Sequence, residues 1–141
     1  MFTTVVVGAD GSVTARRAVE AAAQVAAQFG SALHIVTAYK SEKVAASALP
    51  GEFAHLASHS DASALLQDLR FAARKFGVEA TTHDSEGDPV EAIVGVAERV
   101  GADLVVVGNR GMKGVRRVLG SVPNSVAHSA PCSVLIVDTT E

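Results

Sequence analysis

Tryptophan is absent from this 141-residue chain, aromatic residues make up only 4% of it, and cysteine occurs once, at Cys132. A single cysteine excludes an internal disulfide framework and a multi-cysteine metal site, and it suits a reducing compartment. No apolar run approaches the roughly 20 residues that a bilayer-spanning helix needs. The opening residues show no basic segment leading into a long apolar stretch, so a cytoplasmic protein without a membrane partner is expected. Charge of one sign is also lacking: the net charge is −3, which gives no general attraction to nucleic acid. Hydrophobic residues make up 48% and charged residues 19%, the balance of a folded globular protein and not of a disordered one. A chain of this length is expected to form one domain, residues 1–141, around one core.

Within that core the hydrophobic pattern alternates between two periods. Thr4-Val5-Val6-Val7 is a β-branched run ending at Gly8. It is followed by Ala15, Ala18, Val19, Ala22, Val25, Ala26 and Phe29 at helical spacing, with Gly30 as the stop. Residues 32–38 read as a second strand, and Ala62, Leu65, Leu66, Leu69, Ala72, Ala73 and Phe76 as the stripe of a second helix ending at Gly77. A more polar third strand spans 78–84, and Asp88-Pro89 opens a third helix. Residues 104–107 and 134–137 are two further apolar strands, separated by a loop and a short helix beginning near Ser121. Strands joined by crossover helices must run parallel, and the helices must cover both faces, so the expected class is α/β with a doubly wound parallel sheet. The continuous apolar first, fourth and fifth strands are expected to be buried on both faces, and the polar third strand suits an edge. The longest irregular stretch, from Lys40 to about Leu56, reads as either a flap or a variable surface loop.

Ligands of such sheets bind beyond the C-terminal strand ends, where the winding direction changes. Two loops stand there. Gly8-Ala9-Asp10-Gly11-Ser12 follows the first strand, and Asp10 in it can accept hydrogen bonds or hold a cation through water; alternatively, Ser12 or Asp10 simply caps the helix. The second loop runs from Gly108 to Pro123 and carries Gly108, Gly111, Gly114 and Gly120 before Ser121, a good N-cap. From Leu104 to Val137 there is no acidic residue, while Arg110, Lys113, Arg116 and Arg117 crowd into the middle of this stretch. Glycine amides, a helix start and nearby cations together favour phosphate, although a solvated basic loop has the same composition. The stretch lacks the Lys-Ser/Thr ending of a P-loop, and the first loop lacks GxGxxG.

Gly8-x-Asp10-Gly11-Ser12, Gly87-Asp88-Pro89, Gly108-x-x-Gly111 followed by Gly120-Ser121, and the run from His128 to Val137 resemble the universal stress protein family over essentially the whole chain. The resemblance implies a five-stranded sheet of order 3-2-1-4-5. It also implies an adenine nucleotide, ATP with Mg2+ in the leading reading and cyclic AMP in the alternative. Carried over position by position, the implied contacts are Gly8, Ala9 and Asp10; Ala38; and Val107, Gly108, Asn109, Arg110, Gly111, Gly120, Ser121 and Val122. One departure concerns spacing: the family's ATP signature usually sets nine residues between the second glycine and Gly-Ser, and Met112 to Leu119 supplies eight.

That strand order would leave the apolar Val134-Leu135-Ile136-Val137 at an edge, which pairing with a second copy would satisfy in a two-fold dimer. The resemblance implies a dimeric stress-response regulator, with a dimer acting through protein contacts alone as a further alternative. No paired acid and base or activated nucleophile stands out, so any ATP hydrolysis is expected to be slow, and an α/β enzyme using an adenylate intermediate is disfavoured. His55 and His59 are spaced i, i+4 without the intervening Glu of a zinc-protease helix, and Cys132 reads as a small core residue, so no metal is expected.

Overall fold

A computed structural model describes residues 1–12, 14–40, 58–109 and 122–139. Among the described residues nine elements follow one another: β1 (Thr4–Gly8), α1 (Ala15–Phe29), β2 (Ala32–Tyr39), α2 (His59–Arg74), β3 (Ala80–Glu86), α3 (Pro89–Val100), β4 (Leu104–Gly108), α4 (Val122–Ser129) and β5 (Ser133–Val137). The strands form one sheet of order β3-β2-β1-β4-β5, the order implied by the family resemblance. Every neighbouring pair is parallel, with Gly8 level with Val36 on one side of β1 and Val7 level with Val106 on the other.

Alternation along the strands divides the core in two. Val5, Val7, Leu33, Ile35, Leu104 and Val106 point to the face covered by α1 and α2, where Ala18, Val19, Ala22, Leu66 and Leu69 meet them. Val6, Val36, Ala38, Val105 and Val107 point to the other face, against Ile93, Val96 and Ala97 of α3 and Val126 of α4. Small residues dominate the buried side of α1, and each buried Val or Leu of the core contributes about 1.5–3 kcal/mol.

The helix ends follow local chemistry. Gly30 and Gly101 close α1 and α3 in the left-handed conformation, at φ 66° and 65°. Asp88 caps α3 by accepting the Val90 amide at 3.2 Å, with Pro89 at the first helical position. At the opposite end of the sheet from the candidate loops, the Asp103 carboxylate accepts the Thr3 amide at 2.9 Å, the Thr3 hydroxyl at 3.0 Å and the Thr4 amide at 3.1 Å, which pins the start of β1 beside β4. Those amides, Thr3 foremost, hold the Asp103 carboxyl below its ordinary range.

Three expectations are corrected. β5 is not buried on both faces: it is the sheet's edge, Leu135 is 39% exposed, and Val134, Ile136 and Val137 are only half-buried. A continuous apolar run signals burial only where a neighbour exists to supply it. The second helix stops at Arg74, three residues before Gly77, because Gly77 (φ 76°) closes a separate turn. β3 begins two residues later than expected, at Ala80, since Val78 enters the core before pairing starts. The polar strand does occupy the other edge, as its composition suggested.

Candidate functional site

β1 and β4 are adjacent and parallel, yet the chain leaves β1 toward α1 on one face and β4 toward α4 on the other. In doubly wound sheets a change of winding direction at such adjacent strand ends is where a crevice for a ligand opens. Gly8, Ala9, Gly108 and Asn109 stand half-buried at this opening and Asp10 is exposed. Ala38, near the end of β2, is buried against α3, and Val107 is buried beneath Gly108. Val122, the first residue of α4, packs half-buried on the same face as Val107. Thus seven of the expected positions, Gly8, Ala9, Asp10, Ala38, Val107, Gly108 and Asn109, share one end of the sheet. Arg110, Gly111, Gly120 and Ser121, with the basic cluster of Lys113, Arg116 and Arg117, lie outside the described residues, as do most of the 40–56 stretch and His55.

Several polar groups at the opening already have partners. The Ala9 amide donates to the Val36 carbonyl at 2.9 Å, which extends the β1–β2 ladder. Asp10 Oδ1 accepts the Ser12 amide at 2.9 Å, forming an Asx turn, and Ser12 Oγ accepts the Ala15 amide at 3.2 Å at the start of α1. Of the two, only Ser12 reaches an amide of the helix; Asp10 closes the turn before it, and Thr14 holds the N-cap position without a side-chain cap bond.

The two glycines that end β1 and β4 are explained by the protein's own side chains. A Cβ on Gly8 would come within 2.9 Å of Ile93 Cγ1 and closer still to its Cδ1. A Cβ on Gly108 would come within 2.9 Å of Thr139 Cγ2 and 3.2 Å of Thr139 Oγ1. Both glycines let a buried side chain pack over the strand end.

Thr139 belongs to a group of residues that the sequence reading missed. The tail leaving β5 turns over the end of β4: the Asn109 amide donates to the Val137 carbonyl at 2.9 Å, Asn109 Oδ1 accepts the Thr139 amide at 3.0 Å, and Asn109 Nδ2 donates to Asp138 Oδ1 at 3.1 Å. Arg17, in the first turn of α1, donates to the Thr139 carbonyl at 3.2 Å. No local pattern announces a pairing across 122 residues.

His59 Nε2 lies 2.7 Å from Asp84 Oδ2 and its ring stands 4.6 Å from that of Tyr39. Among the described residues no group of three or more His, Cys, Asp or Glu side chains converges as a metal site. Burial first, and then the Asp103 charge, push the Cys132 thiol up, so it stays protonated beside the α3–α4 core. No described helix is long and apolar enough to cross a membrane.

A sequence model described as the universal stress protein family matches residues 1–138. The chain belongs to the universal stress protein family. It is 38% identical over 144 residues to the universal stress protein Rv1636 of Mycobacterium tuberculosis, covering 99% of this chain and 98% of that one. Its fold is similar to the crystal structure of a universal stress protein in complex with cAMP, with a TM-score of 0.83, 39% identity and 99% of each chain covered. It is also similar to a universal stress protein from Archaeoglobus fulgidus in complex with dAMP, with a TM-score of 0.69, 25% identity and 98% of each chain covered. Both of these neighbours are in complex with an adenine nucleotide.

Proposed function

We propose that this universal stress protein binds an adenine nucleotide in the β1–β4 crevice and acts as a cytoplasmic, homodimeric stress regulator. The observation that carries the reading is the likeness, at 39% identity over nearly the full length of both chains, to a family member in complex with cAMP. Cyclic AMP is accordingly the ligand best supported by comparison. ATP is the second reading, supported by the four glycines and Ser121 of the 108–121 stretch and by its basic residues.

In this account the sugar and base lie against the backbone of Gly8, Ala9 and Asp10 and the buried Ala38. Val107, Gly108 and Asn109 lead into the phosphate-holding positions Arg110, Gly111, Gly120 and Ser121, and Val122 begins the helix whose amides face the anion. The residue types fit such a ligand: Gly8, Ala9 and Gly108 are small and let a ligand come close to the backbone. If ATP binds with Mg2+, the Asp10 carboxylate, whose Oδ1 also accepts the Ser12 amide, is the group that would reach the cation through water. No general base is assigned, so occupancy and not turnover carries the signal. The exposed apolar edge of Val134, Leu135, Ile136 and Val137 is the surface assigned to the second copy.

Calorimetric titration of ATP and of cyclic AMP tests the reading, with the Gly111→Val, Gly120→Val double variant as the control. Micromolar binding lost in the folded control supports the crevice, and the tighter ligand selects between the two nucleotides. Folded protein that takes up neither leaves a role through protein contacts alone.

A further inference from the structure

The nucleotide reading places Asn109 among the ligand contacts, but its carboxamide is already committed. Its Oδ1 holds the Thr139 amide and lies 3.4 Å from the Thr139 hydroxyl, its Nδ2 holds Asp138, and its own amide is given to Val137. Thr139 is only 1% exposed, and its methyl occupies the space where a Cβ on Gly108 would stand. Arg17 fastens the Thr139 carbonyl from the first turn of α1, directly after the Asp10–Ser12 turn. Residues 137–139 therefore form a strap joined to both halves of the crevice: the end of β4 through Asn109 and the start of α1 through Arg17.

We propose that Asn109 and Arg17 are positioning residues for the nucleotide, acting on it only through this strap. The strap fixes the peptide from which the glycine-rich stretch departs and holds it at a set distance from the Gly8–Ser12 turn. A buried amide that has lost its acceptor, or a carbonyl that has lost its donor, cannot stay in place without cost, so removing either anchor frees the tail and lets the Asn109 peptide drift from the Gly8–Ser12 turn. Ligand affinity then falls although no ligand contact has been removed. This proposal rests on the nucleotide reading, and it differs from that reading in making the Asn109 side chain a contact to the protein.

The experiment measures cyclic AMP and ATP affinity by calorimetry for the wild type, Asn109→Ala, Arg17→Ala and their double variant, each checked for folding by circular dichroism. Each single variant is expected to weaken binding by about tenfold, as release of the partly buried bond to the Thr139 peptide implies. The double variant should be little weaker than either single one, because both release the same strap. Hydrogen exchange at the Thr139 amide should speed up in each variant.

An exchange of side chains gives the decisive arm. Asn109→Asp alone sets two carboxylates against each other; adding Asp138→Asn restores a donor and acceptor pair with the charge conserved. Asp138→Asn alone measures what else Asp138 does. If Asn109 positions, the exchanged pair regains wild-type affinity. If Asn109 touches the ligand, the exchange fails to restore binding and Arg17→Ala keeps full affinity, which overturns the proposal. Unchanged affinity in Asn109→Ala also overturns it. A wild-type protein that binds no adenine nucleotide removes the nucleotide reading itself and the proposal with it, whereas failure of the variants alone leaves that reading standing.

Discussion

Gly8→Ala is the substitution whose sign the structure decides. Gly8 does not adopt a positive φ, so on backbone entropy alone alanine would stabilise the protein by roughly 0.4–1 kcal/mol. The added methyl, however, falls within 2.9 Å of Ile93 Cγ1 and nearer to Cδ1. Ile93 is only 5% exposed and lies in the helix α3, where its branched Cβ leaves one strongly preferred χ1. The Cδ1 atom can swing about χ2, but Cγ1 moves only if α3 moves. Overpacking of this kind costs about 1–3 kcal/mol, enough to outweigh the entropic gain. Urea denaturation should therefore show Gly8→Ala as net destabilising with an unchanged m-value. Ile93→Val, which alone costs about 0.5–1.5 kcal/mol by deleting Cδ1, removes the nearer of the two collisions. The double variant should be more stable than the sum of the single effects by at least about 1 kcal/mol, well beyond the ~0.3–0.5 kcal/mol scatter of independent sites. A stabilising Gly8→Ala, or strict additivity with Ile93→Val, would refute the account of why β1 ends in glycine.

Further outcomes are expected elsewhere in the molecule. His34 Nδ1 lies 2.9 Å from His83 Nε2, and burial lowers both pKa values, with the His34 and Arg99 charges lowering His83 further and Asp84 opposing them. A depressed histidine pKa means that the unfolded chain takes protons first. The pair's contribution is complete above about pH 6.5 and is lost as pH falls through the folded values. Thermal melts should show this loss on acidification in the wild type and a shallower one in His34→Gln, His83→Gln; parallel curves would contradict it. Asp103→Asn should lower the melting temperature at neutral pH and flatten the acid limb below about pH 4, since Asp103's depressed pKa gives stability that is lost as pH falls through it. Leu135→Lys, at the exposed β5 edge, should turn the proposed dimer into monomer in sedimentation velocity at micromolar concentration without lowering helix content. Cys132 should react slowly with a soluble disulfide in folded protein and rapidly in urea, as its raised pKa and partial burial require.

The fold was legible wherever one residue type answers one local demand. Gly30 and Gly101 stop helices because they adopt positive φ, Asp88-Pro89 starts one, and the Val-rich runs of β1 and β4 have the sheet on both sides. Composition misled at β5, because apolar content records that a strand must be covered and not which chain covers it. The crevice was legible as a pair of loops, yet the reasons for individual residues in it were not. Gly8 and Gly108 suggest close approach of something, and only the packing of Ile93 and Thr139 identifies what approaches. The bond between Arg17 and Thr139 and the contact between His34 and His83 join residues with no pattern in common, brought together by strand order and register alone.

Backbone amide shifts during titration with cyclic AMP test the central claim most directly, since they report where the ligand sits. The account predicts saturable shifts concentrated at Gly8, Ala9, Asp10, Ala38, Gly108 and Asn109, with Thr3, Thr4 and Asp103 at the far end of the sheet unmoved. Saturable shifts centred elsewhere, such as around His34 and His83, or no shifts with either cyclic AMP or ATP, would contradict nucleotide binding at the β1–β4 crevice.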